Sequence, residues 1–389
     1  VNDILEYPKQ IRDLGANIFN IHHNNRPTPA INYPYWDQSF PALQEAVKKV
    51  HEHDVRFKVY YTSREITNLL PELWAFYSMN GEIIYPGPGV DTRVVTNREG
   101  PHPWLCEHMR ERFIPAWREN LQEPYEGLLD LSVITTPDSR LDNFYIEGLN
   151  YLIEHAGIDG IYVDDTSLGR KTFQRAKRLI LSNNPDGLID LHSWNGAWEE
   201  RFGNHTPMLT YMPNLPYVDR IWLGEAFNYD EIDPEMWLID TSGIPLGLMG
   251  EMLQHGGNPW RGMVFGQSSR LGWGLGDPRS IWKLWDDFGM QGSEILGWWD
   301  PRCPVTCSDP DIYATVYRKA DKVLISLGSW AETDVTVQLQ IDWDAMGLDP
   351  DKVLVTQPAV ETVQAAAVYG VNDAIPVSQT KGALLILGL

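Results

Sequence analysis

Asp164 and Asp165 close the apolar run Ile161-Tyr162-Val163, and two adjacent carboxylates at such a place are the strongest chemical signal in the sequence. Buried and unpaired they are costly, and the alternation of side chains along a strand sends one into the site while the other turns aside. Neighbouring carboxylates push their pKa values apart, so one suits an acid or nucleophile and the other a charge stabiliser. The plainer alternative is an N-cap for the next helix with a supporting hydrogen bond. Glu225 ends another strand in Leu223-Gly224-Glu225-Ala226, where Gly224 allows close approach of a ligand. Two carboxylates from different strands are what cleavage of a glycosidic bond needs: one protonates the leaving oxygen, the other is base or nucleophile. Glu251, in GLMGEMLQHGG, has a comparable glycine context and is a weaker candidate.

Around these acids stand groups suited to binding hydroxyls and sugar faces. His22 and Asn24, Arg64, His192 and Asn195, Arg270 and Asp300 all terminate or follow apolar runs, and Trp194 and Trp298 lie beside them. An indole face stacks on the apolar face of a sugar ring while Asn, His and Arg take its hydroxyls. Trp260, Trp282 and Trp285 fall in helical or loop segments and read as core. No metal is expected, because the adjacent His22 and His23 point to opposite faces of a strand and only one can enter a site. His51-Glu52-His53 reads as a solvated helix end facing the dipole. No cofactor is expected either: the sequence has no GxGxxG after a strand, no GxxxxGK[ST] and no GxSxG.

The elements that must position these residues alternate between short β-rich runs and helical patterns, which points to a parallel sheet with crossover helices. Helices are expected over 3–15, 40–54, 104–121, 141–157, 171–184 and around 280–290, and Gly157 is a stop signal. Strands are expected at 17–25, 55–65, 158–166, 187–195, 218–227, 262–270 and 293–301. LLDLSVI (128–134) makes eight, unless it is a loop strand, in which case the first barrel strand lies upstream of Val1 or is absent. In a (β/α)8 barrel the site is assembled from the C-terminal ends of the strands, and here nearly every strand ends in polar residues. After Pro310 short alternating strands and turns replace this pattern. The fold class read from it is α/β, a TIM-like (β/α)8 barrel over 1–310 with a small C-terminal antiparallel β-sandwich over 311–389.

Composition narrows the partners. The chain has 389 residues and a net charge of -22, and no basic run offsets the acid excess, so nucleic acid is excluded as a partner. No stretch reaches the roughly 18 to 20 apolar residues of a membrane-spanning helix. The sequence opens VNDILEYPKQ, with no initiator methionine and no export-signal pattern, and reads as a mature form or a piece of a longer protein. Cys303 and Cys307 enclose Pro-Val-Thr and either bridge locally or stay free thiols.

YIEGLNYLIEHAGIDGIYVDDT resembles the fourth-strand region of many glycoside hydrolase barrels. Together with INYPYW, GLIDLHSWN, RIWLGEAFNYDEI, SGIPLGLMGEML and NPWRGMVFG, it makes the chain similar to bacterial proteins of glycoside hydrolase family 123, from Val1 into the C-terminal module. The resemblance implies a β-N-acetylgalactosaminidase on a (β/α)8 barrel with an attached β-sandwich, a carbohydrate substrate, and a secreted or periplasmic location. It also implies substrate assistance: an Asp orients the 2-acetamido group, which attacks the anomeric carbon, and the following Glu is the acid/base. Asp164 then takes the orienting place and Asp165 the acid/base place, with Asp where the family has Glu. Glu225 is the substitute acid, which makes the mechanism a two-carboxylate one on another sugar, for example of galactose type. The remaining alternatives are a non-catalytic carbohydrate-binding protein and a metal-dependent hydrolase.

Overall fold

The computed structural model describes residues 8–22, 40–62, 65–67, 71–83, 115–120, 129–133, 139–164, 168–193, 212–223, 228–240, 250–252, 256–271 and 276–388. A first unit takes the chain up to His192 together with Pro213–Asp219. Its strands are β1 (Ile18–Ile21), β2 (Arg56–Tyr60), β3 (Glu65–Thr67), β4 (Pro115–Asn120), β5 (Leu129–Val133), β6 (Gly160–Val163) and β7 (Leu188–Ser193). β1, β2, β6 and β7 are parallel neighbours in that order. β3, β5 and β4 form a separate antiparallel sheet.

Alternation along the parallel strands gives the two sheet faces opposite characters. Phe57, Val59, Ile161, Val163, Ile189 and Leu191 on one face are buried. The helix Phe40–His51, which buries Leu43, Ala46, Val47 and Val50, packs against β2. Residues on the other face include Lys58, Tyr60, Thr62, Tyr162, Asp190 and His192, and these are buried too. Lys58 and Asp190 form an ion pair there, both side chains fully enclosed. Gly160, which β2 and β7 flank through Lys58 and Leu188, admits no side chain, since a Cβ would lie 2.2 Å from the Leu188 carbonyl oxygen.

At the opposite end of these strands Asp159 gathers the main-chain N–H of Phe57, Asn184 Nδ2 and His51 Nε2. His51 ends its helix and is solvent-exposed, as expected, and it also ties the helix to Asp159 at 2.7 Å. Helix Arg140–Tyr151 runs into a π turn, Leu152–Ala156, and stops at Gly157 in the left-handed region (φ 73°), as its sequence signals. The expected helix over 104–121 is corrected at its end, where 115–120 is the strand β4. Pro115 has no N–H for a helix interior, and the residues after it pair with β5 instead. β5 lies in that antiparallel sheet and is not a barrel strand.

The second unit begins its strands with β8 (Arg220–Leu223), β9 (Gly250–Met252) and β10 (Gln267–Ser269), which are parallel, with β9 in the middle. Among the described residues the two units thus hold seven parallel strands. The expected strand over 262–270 is corrected: Pro259–Val264 is a helix and the strand starts at Gln267. Asn258 explains this, because its side-chain oxygen caps the helix on Arg261 N, with Pro259 in the first turn.

The C-terminal strands are β11 (Glu294–Leu296), β12 (Val305–Cys307), β13 (Ile312–Arg318), β14 (Lys322–Ser329), β15 (Val335–Val337), β16 (Leu339–Ile341), β17 (Leu354–Gln357), β18 (Ala367–Tyr369), β19 (Ile375–Val377) and β20 (Gly382–Gly388). A six-stranded antiparallel sheet has the order β11-β13-β14-β20-β17-β18. Two short pairs, β12 with β16 and β15 with β19, share its core through Val305, Val337, Ile375 and Val377 packed with Val316, Ile325 and Leu385. This is the expected antiparallel sandwich. The strand expected at the end of the barrel over 293–301 is corrected, since Glu294–Leu296 pairs antiparallel with β13. Cys303 and Cys307 are free thiols, and burial pushes Cys307 up to about 12.

Candidate active site

Asp164 directly follows β6, and the two neighbouring strands fix its carboxylate. Tyr60, the last residue of β2, donates its hydroxyl to Asp164 Oδ2 at 2.9 Å, and His192 Nδ1 on β7 lies 2.7 Å from Oδ1. Thr62 Oγ1 holds the Asp164 main-chain oxygen at 2.9 Å. The His192 side chain is 3% exposed and Asp164 16%, so the carboxylate alone of this pair reaches outward. Rings build the floor: His22 stands 4.2 Å from Tyr60, Tyr60 5.3 Å from Tyr162, and Tyr162 6.1 Å from His192.

A carboxylate that accepts on both oxygens is an oriented acceptor and a poor proton donor. With the Asp164 carboxylate as acceptor, His192 Nδ1 is the donor of that hydrogen bond. Nε2 is buried and has no hydrogen-bond partner among the described residues. Of the residues that the sequence points to, the structure brings Asp164, His192 and His22 together. Tyr60, Thr62 and Tyr162 belong with them; the two tyrosines escape a reading that treats aromatics inside strands as core. Stepping back by two from Asp164, and back by two again along Thr62-Tyr61-Tyr60, finds them on the same face.

In the second unit Glu251, central in β9, pairs with Arg220 at 2.8 Å, and the Arg270 guanidinium lies 4.1 Å over the Trp222 ring. Trp298 and Asp300 follow β11, the first strand of the C-terminal sheet, and do not end a barrel strand. Trp298 packs edgewise on Tyr313 at 4.6 Å. Asp300 holds Arg302 at 2.7 Å, and that hydrogen bond keeps its carboxyl below the usual range. Asn24, Arg64, Asp165, Trp194, Asn195 and Glu225 lie outside the described residues. Among the described residues no three His, Cys, Asp or Glu side chains are grouped to hold a metal ion.

Residues 3–272 match the TIM-barrel domain of glycoside hydrolase 123, and residues 277–388 match its C-terminal domain. The chain belongs to glycoside hydrolase family 123. As a family 123 member it is a glycosidase with a TIM-barrel domain, and its substrate is a carbohydrate. None of the curated proteins matches it in sequence. Solved structures similar to this family 123 chain include a trehalose-6-phosphate hydrolase of Bacillus licheniformis, at 9% identity and TM-score 0.55, over 100% of this chain and 95% of that one. An α-amylase of Geobacillus thermoleovorans is similar at 11% identity and TM-score 0.51, over 99% and 91%. A family 36 α-galactosidase of Geobacillus stearothermophilus reaches 14% and 0.50, over 100% of this chain and 53% of its own. At such identities the likeness is one of fold.

Proposed function

We propose that the protein is a retaining β-N-acetylgalactosaminidase-type glycosidase in which the substrate's own 2-acetamido group is the nucleophile. The observation that carries this reading is the clamp on Asp164, with Tyr60 OH at 2.9 Å and His192 Nδ1 at 2.7 Å. A carboxylate so fixed accepts the acetamide N–H and holds the carbonyl oxygen against the anomeric carbon. The carbonyl oxygen forms the new bond to that carbon, the bond to the leaving oxygen breaks, and Asp165 gives the leaving oxygen its proton. Water then opens the oxazoline intermediate, returning its proton to Asp165, and the anomeric configuration is retained.

Asp165 is one methylene shorter than the Glu of the family pattern, which favours Glu225 as the acid in a second reading. Proton NMR of the first-formed product anomer tests both, since each requires retention. A thiazoline mimic of the oxazoline separates them, because a substrate-assisted site binds it far more tightly than its substrate and a double-displacement site does not. An inverted product contradicts the proposal outright.

A further inference from the structure

The buried ion pair of the first unit lies where stability alone does not call for one. Lys58 and Asp190 are both fully enclosed. Taking two such charges out of water is costly, and apolar residues of matching volume are often as stable or more so in their place. What an ion pair adds over an apolar contact is a fixed direction and length, so its place in the sheet is informative.

β2 and β7 are not neighbours, because β6 runs between them and pairs with both. Lys58 crosses β6 to reach Asp190. Gly160, level with Lys58 on β6, contributes no side chain to that crossing. Two places on from Lys58 is Tyr60, and two on from Asp190 is His192, so both lie on the face that carries the pair. These are the residues that hold Asp164, Tyr60 through its hydroxyl at 2.9 Å and His192 through Nδ1 at 2.7 Å. Both are buried, and each holds the carboxylate from within the protein. The ion pair thus joins the two arms of the clamp to each other, one step below the carboxylate.

We infer that Lys58 and Asp190 are positioning residues: their ion pair sets the spacing of β2 and β7 and so aims Tyr60 and His192 at Asp164. The inference rests on Asp164 orienting the substrate's acetamido group. Lys58 and Asp190 act through the clamp and do not touch substrate.

The experiment replaces the pair by apolar residues, Lys58→Met/Asp190→Leu. It follows the denaturant midpoint, kcat and KM for p-nitrophenyl N-acetyl-β-galactosaminide, and the dissociation constant of an N-acetylgalactosamine-derived thiazoline. Misplacing a reacting group by about 1 Å costs about 100-fold. The double variant is expected to keep most of the midpoint, to lose about that factor in kcat and in thiazoline affinity, and to change KM little. In the Asp164→Asn background the same substitutions are expected to cost little further, since the carboxylate they aim is gone. A merely structural pair leaves kcat and thiazoline affinity at wild-type values in the folded double variant, or gives losses that add in full to those of Asp164→Asn. Either result overturns the inference. Lys58→Arg, which keeps the charge and changes its reach, is the second variant should the first not fold: a lower kcat with little change in KM is expected, and an unchanged kcat overturns the inference. Tight thiazoline binding by the wild type and the double variant alike sinks the positioning role and spares the acetamido reading. No thiazoline binding by the wild type sinks both.

Discussion

The parallel sheet of the first unit and the six-stranded sheet of the C-terminal module treat buried polarity in opposite ways. In the C-terminal sheet one face packs Val316, Ile325 and Leu385, and the other packs Tyr317, Leu324 and Leu384. The polar groups enclosed there end on main-chain oxygens: Thr315 Oγ1 on Val264, and Arg261 on Ser329 and Tyr229. In the first unit one face is equally apolar, but the other carries Lys58, Asp190, Tyr60, Asp164 and His192. Lys58 and Asp190 pair with each other, and His192 Nε2 has no hydrogen-bond partner among the described residues. A sheet that only had to be stable would look like the C-terminal one. The face that departs from it is the face that carries the candidate site.

The largest effect expected from this contrast is on stability. Lys58→Met removes the cation paired with the buried Asp190 and should cost about 3–5 kcal/mol in denaturant unfolding, of which the double variant Lys58→Met/Asp190→Leu should restore most. A double variant as unstable as the single would show that the pair itself holds the sheet. On the other side, Ile325→Ala should cost about 2–5 kcal/mol while leaving kcat/KM of the folded protein unchanged. A comparable loss of activity would break the division between the two sheets.

Asp164→Asn reverses that pattern, lowering kcat by at least about 100-fold with the melting temperature nearly constant. Equal losses in both would make the clamp structural. Next come the thiols: with burial raising Cys307 to about 12, it stays protonated at pH 8 and should resist alkylation in the native fold, read by peptide mass spectrometry. Rapid labelling of Cys307 would show that the C-terminal core is looser than its packing.

The smallest effect is at Asp300. Arg302 lowers its folded-state pKa, so its contribution to stability is present above the unfolded value of about 3.9 and is lost as the pH falls through the folded value. Asp300→Asn should flatten that acid limb slightly and leave turnover unchanged. A large loss of turnover would return Asp300 to the substrate.

Much of the barrel was legible because its strands are bounded by their own signals. Gly157 ends a helix, Ile-Tyr-Val precedes two acids, and Leu-Ile-Asp-Leu-His alternates. Misreadings arose where pairing over long range decided. Glu294–Leu296 has the composition of a barrel strand and belongs elsewhere because β13 offers it an antiparallel partner. Gly250–Met252 is too short for any periodicity to register. At the site, Asp164 and His192 followed from the rule that strand ends carry function. Tyr60 and Thr62 did not, because only the register between β2 and β6 puts them against Asp164.

The central claim, that Asp164 in its Tyr60–His192 clamp orients the substrate's acetamido group, is tested most directly by the dissociation constant of an N-acetylgalactosamine-derived thiazoline for the wild type and for Asp164→Asn. The account predicts tight binding to the wild type, weakened at least about 100-fold by the substitution. Equal affinity for both proteins would contradict it.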